Sequence, residues 1–407
     1  MSTIIVGGGA AGCFAAIHAA RLGEHVTVIE RNDRIGKKLR ITGKGRCNLT
    51  NNCDMETLMA NIPCGGRFLY SAFAAFSPQD TMDFFETLGV SLKTERGNRV
   101  FPVSDQAAEI VEALRHEMQR LGVELVQGTV DSLTLNADGA CCGVRAGDTA
   151  YTADRVILAT GGATYPLTGS EGDGYKLVKS LGHTVTEIRP SLVPLETLER
   201  DCAEMMGVSL KNVTLTMKRD GKSVFSELGE MLFTHFGVSG PLVLSASAHM
   251  DKPATYTLHI DLKPALTPEQ LDARIQREIT AAPNKELPSL LRKLLPASMV
   301  MPMIGRCGIN PHTRGNSLTK TQRSRIVQEL KDFAFSVRGT RPLAEGIITR
   351  GGVSLKEINP KTMESKLIPH LCIIGELLDC DAYTGGFNLQ IAWSTAFAAA
   401  QNCTPQS

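Results

Sequence analysis

The chain has little of what marks a membrane, metal or nucleic-acid protein. Its longest apolar runs fall short of the ~20 residues that cross a bilayer. No basic, apolar leader precedes the first predicted strand, which starts at residue 3. A cytoplasmic protein with no membrane partner is the expectation. Lys and Arg number 43 against 42 Asp and Glu, a net charge of +1. That balance argues against an extended footprint on nucleic acid and leaves room only for a local basic patch. Aromatic residues make up 5% of the chain, with a single Trp, and they do not interleave with basic residues as base-stacking surfaces do. The 11 cysteines include no C-x-x-C pair, and neither they nor the 9 histidines fall at zinc-ligand spacing. No metal site is expected, and the cysteines read as reduced, mostly buried thiols.

What the chain does have begins at once. Thr3-Ile4-Ile5-Val6 runs into Gly7-Gly8-Gly9-Ala10-Ala11-Gly12, and about twenty residues later comes Val26-Thr27-Val28-Ile29-Glu30. Strand, glycine turn, helix and second strand closed by an acid form the pattern that holds a dinucleotide. Gly7 permits the turn, Gly9 lets a pyrophosphate approach the backbone, and Gly12 lets the helix pack against the sheet. The positive end of the helix faces the phosphates, and Glu30 is placed to accept from ribose hydroxyls.

With 407 residues, two or three domains are expected. Residues 31–52 lack strand or helix periodicity and read as a long, functional loop. Helices are predicted over 67–76, over 78–88 with Ser77 as N-cap, and over 107–121. A parallel strand at 123–126 and an antiparallel meander over 130–153 lead to a buried strand, Arg155-Val156-Ile157-Leu158-Ala159, which ends at Thr160-Gly161-Gly162. Residues 190–262 alternate apolar and polar, as in Val213-Thr214-Leu215-Thr216-Met217, and suggest a β-rich insert. Helical patterning follows over 268–280, 287–295 and 320–335.

Two further stretches carry chemistry. Leu371-Cys372-Ile373-Ile374 leads to Gly375-Glu376, Asp379-Cys380-Asp381 and Gly385-Gly386-Phe387-Asn388-Leu389, which opens the last helix. A strand, an acid, paired glycines and a helix N-terminus can hold a flavin's ribityl side and stabilise negative charge on its ring. The alternative is an ordinary β-α unit with a glycine cap. Lys37, Lys38, Arg40, Lys44 and Arg46 cluster after the ribose-binding acid, where they suit a pyrophosphate or an anionic substrate; otherwise they coat a solvated loop.

Together these blocks resemble the FAD-dependent flavoproteins of the BaiN and aminoacetone-oxidase family. The resemblance also rests on Gly43-Lys44-Gly45-Arg46-Cys47-Asn48-Leu49-Thr50-Asn51 and Leu232-Phe233-Thr234-His235-Phe236-Gly237-Val238-Ser239-Gly240-Pro241, and it spans nearly the whole chain. It implies an α/β protein with a glutathione-reductase-type, Rossmann-like FAD-binding domain made from both chain ends (1–189 and 343–407). A β-rich insert (190–265) and a helical insert subdomain (266–342) lie between them. It implies that Gly7, Gly9, Ala10, Ala11, Gly12, Glu30 and Arg31 hold the ADP half, with Lys38, Val130, Thr160 and Gly161 nearby. Gly45, Arg46, Cys47, Asn48, Gly386, Asn388 and Leu389 border the flavin. Gly375, Glu376 and Asp379 serve the ribityl and phosphate side, although Gly375-Glu376 departs from the Gly-Asp of many FAD proteins.

Arg46, His235 and Tyr165 are the catalytic candidates, with Tyr383 a weaker one. His235 suits acid/base work by its pKa; equally, its imidazole can be a structural element of a Gly-Pro-shaped turn. The function expected is hydride transfer at the flavin with FAD as cofactor. No second dinucleotide motif is present, so NAD(P)H, if it is the donor, docks transiently. The first reading is NAD(P)H-dependent reduction of a conjugated C=C bond in a small, steroid- or bile-acid-like molecule. The second is oxidation of a small amine such as aminoacetone with release of peroxide. A third is flavin-dependent RNA modification, using a basic face around Arg314 and 320–325. A small-molecule substrate is the expected partner, and nucleic acid is not.

Overall fold

The computed structural model describes residues 1–250 and 253–401; Cys403 therefore lies outside the described residues. The chain divides into two compact units, one of Met1–Ser191 with the residues from Leu343 onward, the other Leu192–Pro342.

In the first unit the apolar run Ser2–Val6 has four of its five residues buried, as a strand covered on both faces must. It is the middle strand of a five-stranded parallel sheet. The order is Leu371–Ile373, Arg155–Leu158, Ser2–Val6, His25–Glu30 and Glu124–Gln127. Ile5 is in register with both Val28 and Ile157, and Ile157 with Cys372, so the two ends of the chain share one sheet. Helix Ala10–Arg21 packs on the last helix, Phe387–Gln401. Both are apolar on nearly every side, which is the composition of helices buried within a domain. Phe14 lies between them, 5.2 Å from the Trp393 ring and 4.6 Å from Phe84. Rings this deep contribute roughly 1.5–3 kcal/mol each through burial.

The meander forms as expected, from Ser132–Leu135, Cys141–Ala146 and Thr149–Thr152. Ser77 caps helix Pro78–Thr87 in a reciprocal box with Asp80. Residues 31–52 are not a loop throughout. They contain helix Lys37–Gly45 and the short strand Thr50–Asn51, which joins a small sheet with Arg99–Pro102 and Leu92–Glu95. The helix shows no periodicity because it breaks at Thr42 (ψ 149°), Gly43 and Lys44 and buries only Leu39.

In the second unit six strands close a barrel in the order Leu195–Thr197, Gly237–Ser239, Lys222–Thr234, Ser209–Arg219, Tyr256–Asp261 and Phe333–Thr340. Residues 320–335 are not one helix. Helix Lys320–Lys331 ends, Asp332 leaves it at φ −146°, and Phe333–Thr340 closes the barrel with Phe333 and Phe335 pointing inward. The helices Pro268–Ala281, Leu287–Leu291, Ala297–Cys307 and Lys320–Lys331 are thus inserted between two neighbouring barrel strands. They share one core with the barrel, in which Leu271, Met299, Met303 and Leu330 join Leu258, Ile260 and Phe233.

Candidate FAD site

The site's first part is the turn after the opening strand. Gly7 donates its N–H to Ile29 O (2.9 Å), locking the turn to the second strand. A Cβ on Gly12 would stand 1.8 Å from the Gly7 carbonyl oxygen, so only glycine lets the helix start this close. Gly9 is the opposite case: a Cβ there would meet no protein atom within 4 Å. Gly9 is also the helix N-cap. It offers no capping side chain, and the first turn holds no acid. Ala10, Ala11 and Gly12 therefore present backbone N–H groups at a positive helix end facing open space.

Glu30 ends the second strand. Its Oε2 accepts from Gly8 N–H (2.6 Å), and its Oε1 from the Asn32 N–H and side-chain amide (2.8 and 2.6 Å). The carboxylate is thereby aimed beside the glycine turn with acceptor capacity remaining. Arg31 turns to the loop after residue 165, pairing with Asp173 (2.8 Å). Thr160 follows strand Arg155–Leu158, and its hydroxyl is buried with no hydrogen-bond partner among the described residues. Gly161 adopts φ 73° beside it, and Val130 is buried.

The C-terminal part meets this turn directly. A Cβ on Gly375 would lie 3.0 Å from Ala11 Cβ, and Gly375 donates its N–H to Thr395 Oγ1 (3.1 Å). Glu376 bonds Lys38 Nζ (2.7 Å) and accepts from Thr349 N–H (2.8 Å), so these two expected cofactor residues hold each other. Lys38 also bonds Thr164 Oγ1 (2.9 Å). The Cys64 thiol donates to the carbonyl of Asp379 (3.6 Å). Next to it Asp381 is buried; its Oδ2 accepts from Ser191 Oγ (2.8 Å), and burial raises its pKa.

Residues 46–51 brace the glycine pair before the last helix. With the Asn48 amide turned to satisfy its surroundings, its oxygen accepts from Gly386 N–H (3.0 Å) and its nitrogen donates to Val100 O and Thr50 O. Asn51 Nδ2 donates to Gly385 O (3.0 Å). A Cβ on Gly386 would be 2.3 Å from Thr50 O, so this contact also demands glycine. Asn388 folds back on the Ala382 N–H and carbonyl (2.9 and 2.8 Å), leaving the first turn beside Leu389 without an acid. Trp393 Nε1–H to Leu49 O (2.9 Å) completes the brace. Gly45, at φ 84°, opens onto free space.

The catalytic candidates fare differently. Arg46 is held by Glu95 and Asp105 (Nε–Oδ1 2.7 Å) and stacks 4.1 Å over Phe101; Glu95 first, then Asp105, raises its pKa. Cys47 is fully buried, and burial pushes its thiol up to about 12, which removes it as a nucleophile. Tyr165 is half-buried in a left-handed conformation (φ 55°), its ring 5.9 Å from Lys38 Nζ. Burial raises its pKa, and its hydroxyl has no hydrogen-bond partner among the described residues. His235 is exposed in a turn of the second unit, 5.0 Å from Phe236. Tyr383 donates its backbone N–H to Asn61 O. Sequence reasoning missed the 92–102 hairpin that grips Arg46 and the Thr164 and Thr349 contacts around Glu376. Gly97-Asn98, a turn pair set before the apolar Val100-Phe101, was the available signal for the hairpin.

An open backbone cradle, a carboxylate beside the glycine turn, a buried unpartnered hydroxyl and a second helix N-terminus without an acid fit FAD, and the chain is a flavoprotein of the FAD-binding oxidoreductase class. The chain belongs to the HI0933-like protein Rossmann-domain family, whose model matches residues 1–402. It is 33% identical over 404 residues to the 3-dehydro-bile acid delta(4,6)-reductase of Clostridium scindens, covering 97% of each chain. It is 32% identical to the ribosomal RNA dihydrouridine synthase of Haemophilus influenzae (99% and 98% covered) and 30% identical to that of Escherichia coli (98% and 97%). Among solved structures, the 3-ketosteroid delta1-dehydrogenase of Sterolibacterium denitrificans aligns with TM-score 0.53 at 14% identity, covering 98% of both chains. The 3-ketosteroid-delta4-(5alpha)-dehydrogenase of Rhodococcus jostii aligns at 0.51 and 15%, covering 98% of this chain and 96% of the other. At these identities the structures show a shared fold. Among the described residues no helix is long and apolar enough to cross a membrane, and no cluster of metal-ligating side chains occurs.

Proposed function

We infer that this flavoprotein saturates a carbon–carbon double bond conjugated to a carbonyl. The observation that carries the reading is a chemistry common to relatives that match over their whole length. A delta(4,6)-reductase of a 3-dehydro bile acid and a dihydrouridine synthase are both named for adding two hydrogens across such a bond. In uridine it is the 5,6 bond, conjugated to the C4 carbonyl. Bound FAD supplies the hydride chemistry. The chain's own residues then have three tasks. Gly9, Ala10, Ala11 and Glu30 bind the dinucleotide end. The N-terminal turn of Phe387–Gln401, with no acid in it, favours negative charge nearby. A proton must reach the carbon next to the carbonyl. Tyr165 is the first candidate to give it: a phenol is protonated at neutral pH, and this one is half-buried with its ring 5.9 Å from Lys38 Nζ. Arg46, neutralised by Glu95 and Asp105, acts as a positioning residue for the 46–51 brace.

The first substrate reading is a small enone of the bile-acid kind with NAD(P)H as transient hydride donor. The second, supported by the relatives from Haemophilus influenzae and Escherichia coli, is a uracil base within RNA. Anaerobic stopped-flow tests the reading. NADH or NADPH should bleach the bound FAD, and an enone or a uridine-containing RNA should restore its colour. Amine-dependent bleaching of the flavin with no response to either nicotinamide, followed by peroxide once oxygen is admitted, would overturn it.

A further inference from the structure

The near-neutral charge of the chain conceals a strong asymmetry. Residues 266–331, the helices inserted into the barrel, carry 11 Lys and Arg against 5 Asp and Glu, a net +6. Since the whole chain is +1, everything else sums to −5. Four of those cations are spoken for: Arg274 pairs with Glu278, Arg306 with Asp201, Arg323 with Asp272 and Lys331 with Asp261. The rest, including Arg277, Lys285, Arg292, Lys293, Arg314 and Lys320, are exposed and form no ion pair among the described residues.

Local structure gathers part of this charge. The backbone at Lys285–Leu287 runs antiparallel to Thr313–Gly315, with Leu287 N–H to Thr313 O (2.9 Å) and Gly315 N–H to Lys285 O (3.0 Å). That bridge sets Glu286 directly opposite Arg314, and Lys285 across from Gly315 at the next position of the same short ladder. At one end the Asn316 amide donates to Asn284 Oδ1 (3.3 Å). Exposed His312 bonds Glu286, the one acid of the cluster (3.1 Å). Lys320 opens the next helix four residues after Asn316.

We propose that the outer face of these inserted helices, centred on Lys285 and Arg314, is the surface on which an RNA substrate docks. Free cations neutralise phosphates and release counterions, while neighbouring amides and an imidazole meet base edges and ribose hydroxyls. An unpaired positive surface on an otherwise acidic protein matches a polyanion rather than a neutral steroid-like molecule. The surface rests on the RNA reading of the site, and its test separates the two.

Holoenzyme is titrated against a fluorescein-labelled, uridine-containing RNA stem-loop at several salt concentrations, in wild type and in the pairs Lys285→Glu with Arg314→Glu and Lys285→Gln with Arg314→Gln. Wild type should bind with a steep salt dependence. The charge-reversal pair should bind at least tenfold more weakly, and the neutral pair should flatten the log–log salt slope by about 1.4–1.8, since each lost phosphate contact removes about 0.7–0.9. FAD content and the rate of flavin reduction by NADPH should stay at wild-type values in both pairs, which also certifies their folding. Wild-type-like affinity and slope in both pairs would overturn the docking surface while leaving RNA as substrate. No RNA binding by wild type, with rapid turnover of an enone, would remove the RNA reading and this surface with it. Binding to phosphatidylserine vesicles in place of RNA would overturn the proposal as well.

Discussion

Gly9 and Gly12 stand three residues apart in one glycine turn and should respond in opposite ways to an added side chain. At Gly9 the backbone is extended (φ −80°, ψ −169°), which any residue adopts, and a Cβ meets nothing within 4 Å. Gly9→Val should therefore leave the apoprotein's stability within about 0.5 kcal/mol. The valine would occupy the space through which a pyrophosphate reaches the helix N–H groups. Losing two charge-assisted hydrogen bonds at about 1.5 kcal/mol each weakens FAD binding roughly 10²-fold. At Gly12 the added Cβ lies 1.8 Å from a backbone oxygen that cannot yield without moving the strand. Gly12→Ala should cost about 3 kcal/mol, or roughly 6–12 °C in melting temperature for a unit of this size. Thermal melts of both apoproteins, followed by FAD titration of Gly9→Val monitored by flavin fluorescence, separate the effects. If Gly9→Val binds FAD as tightly as wild type, the cradle has been misassigned.

Three other outcomes follow from single residues. Glu30→Gln removes the charge from the acceptor of Gly8 N–H and should weaken FAD binding about tenfold, read in the same titration. His18, packed among Phe14, Phe84 and Phe397, has its pKa lowered to about 3, chiefly by burial and then by Arg21. Its contribution is complete above the ordinary value of 6.5 and drains as pH falls toward 3, by about 1.4 kcal/mol per unit. His18→Phe should flatten the stability curve between about pH 5 and 6.5, above the range where Glu117, held down to about 2 by Arg120 and Arg21, begins to matter. An unchanged acid limb in urea melts would count against this. Gln390, fully buried, accepts from Thr50 and Thr81 and donates to Phe76 O and Ser394, so Gln390→Leu strands the Thr50 hydroxyl, leaves Thr81 only Ser77 O, and should cost about 3 kcal/mol in denaturant melts.

What could be read from the sequence follows a physical divide. The parallel sheet, the meander, the Ser77 cap and the glycine turn were legible because each is encoded within a short window. Helix Lys37–Gly45 was not, since a break after one turn and a single buried Leu39 leave no period to detect. Strand Phe333–Thr340 was absorbed into the preceding helix, although the spacing of Phe333, Phe335 and Val337 carries a period of two. Its pairing partners lie at Tyr256–Asp261 and Leu195–Thr197, far away in the chain. At the site, Glu30 and the glycines announce themselves by type and spacing. That Lys38 meets Glu376, or that Arg46 is gripped by Glu95 and Asp105, depends on contacts across 338 and about 50–60 residues respectively. No local pattern encodes those pairings. Burial likewise decides that Cys47, beside the flavin motif by sequence, is a core thiol instead of a reactive one.

Absorbance of gently purified full-length protein, with the released chromophore quantified against chain concentration, tests the two-ended cradle most directly. One FAD per chain, lost in Gly9→Val and retained in Lys285→Glu with Arg314→Glu, is expected. Colourless protein that takes up no added FAD would contradict it.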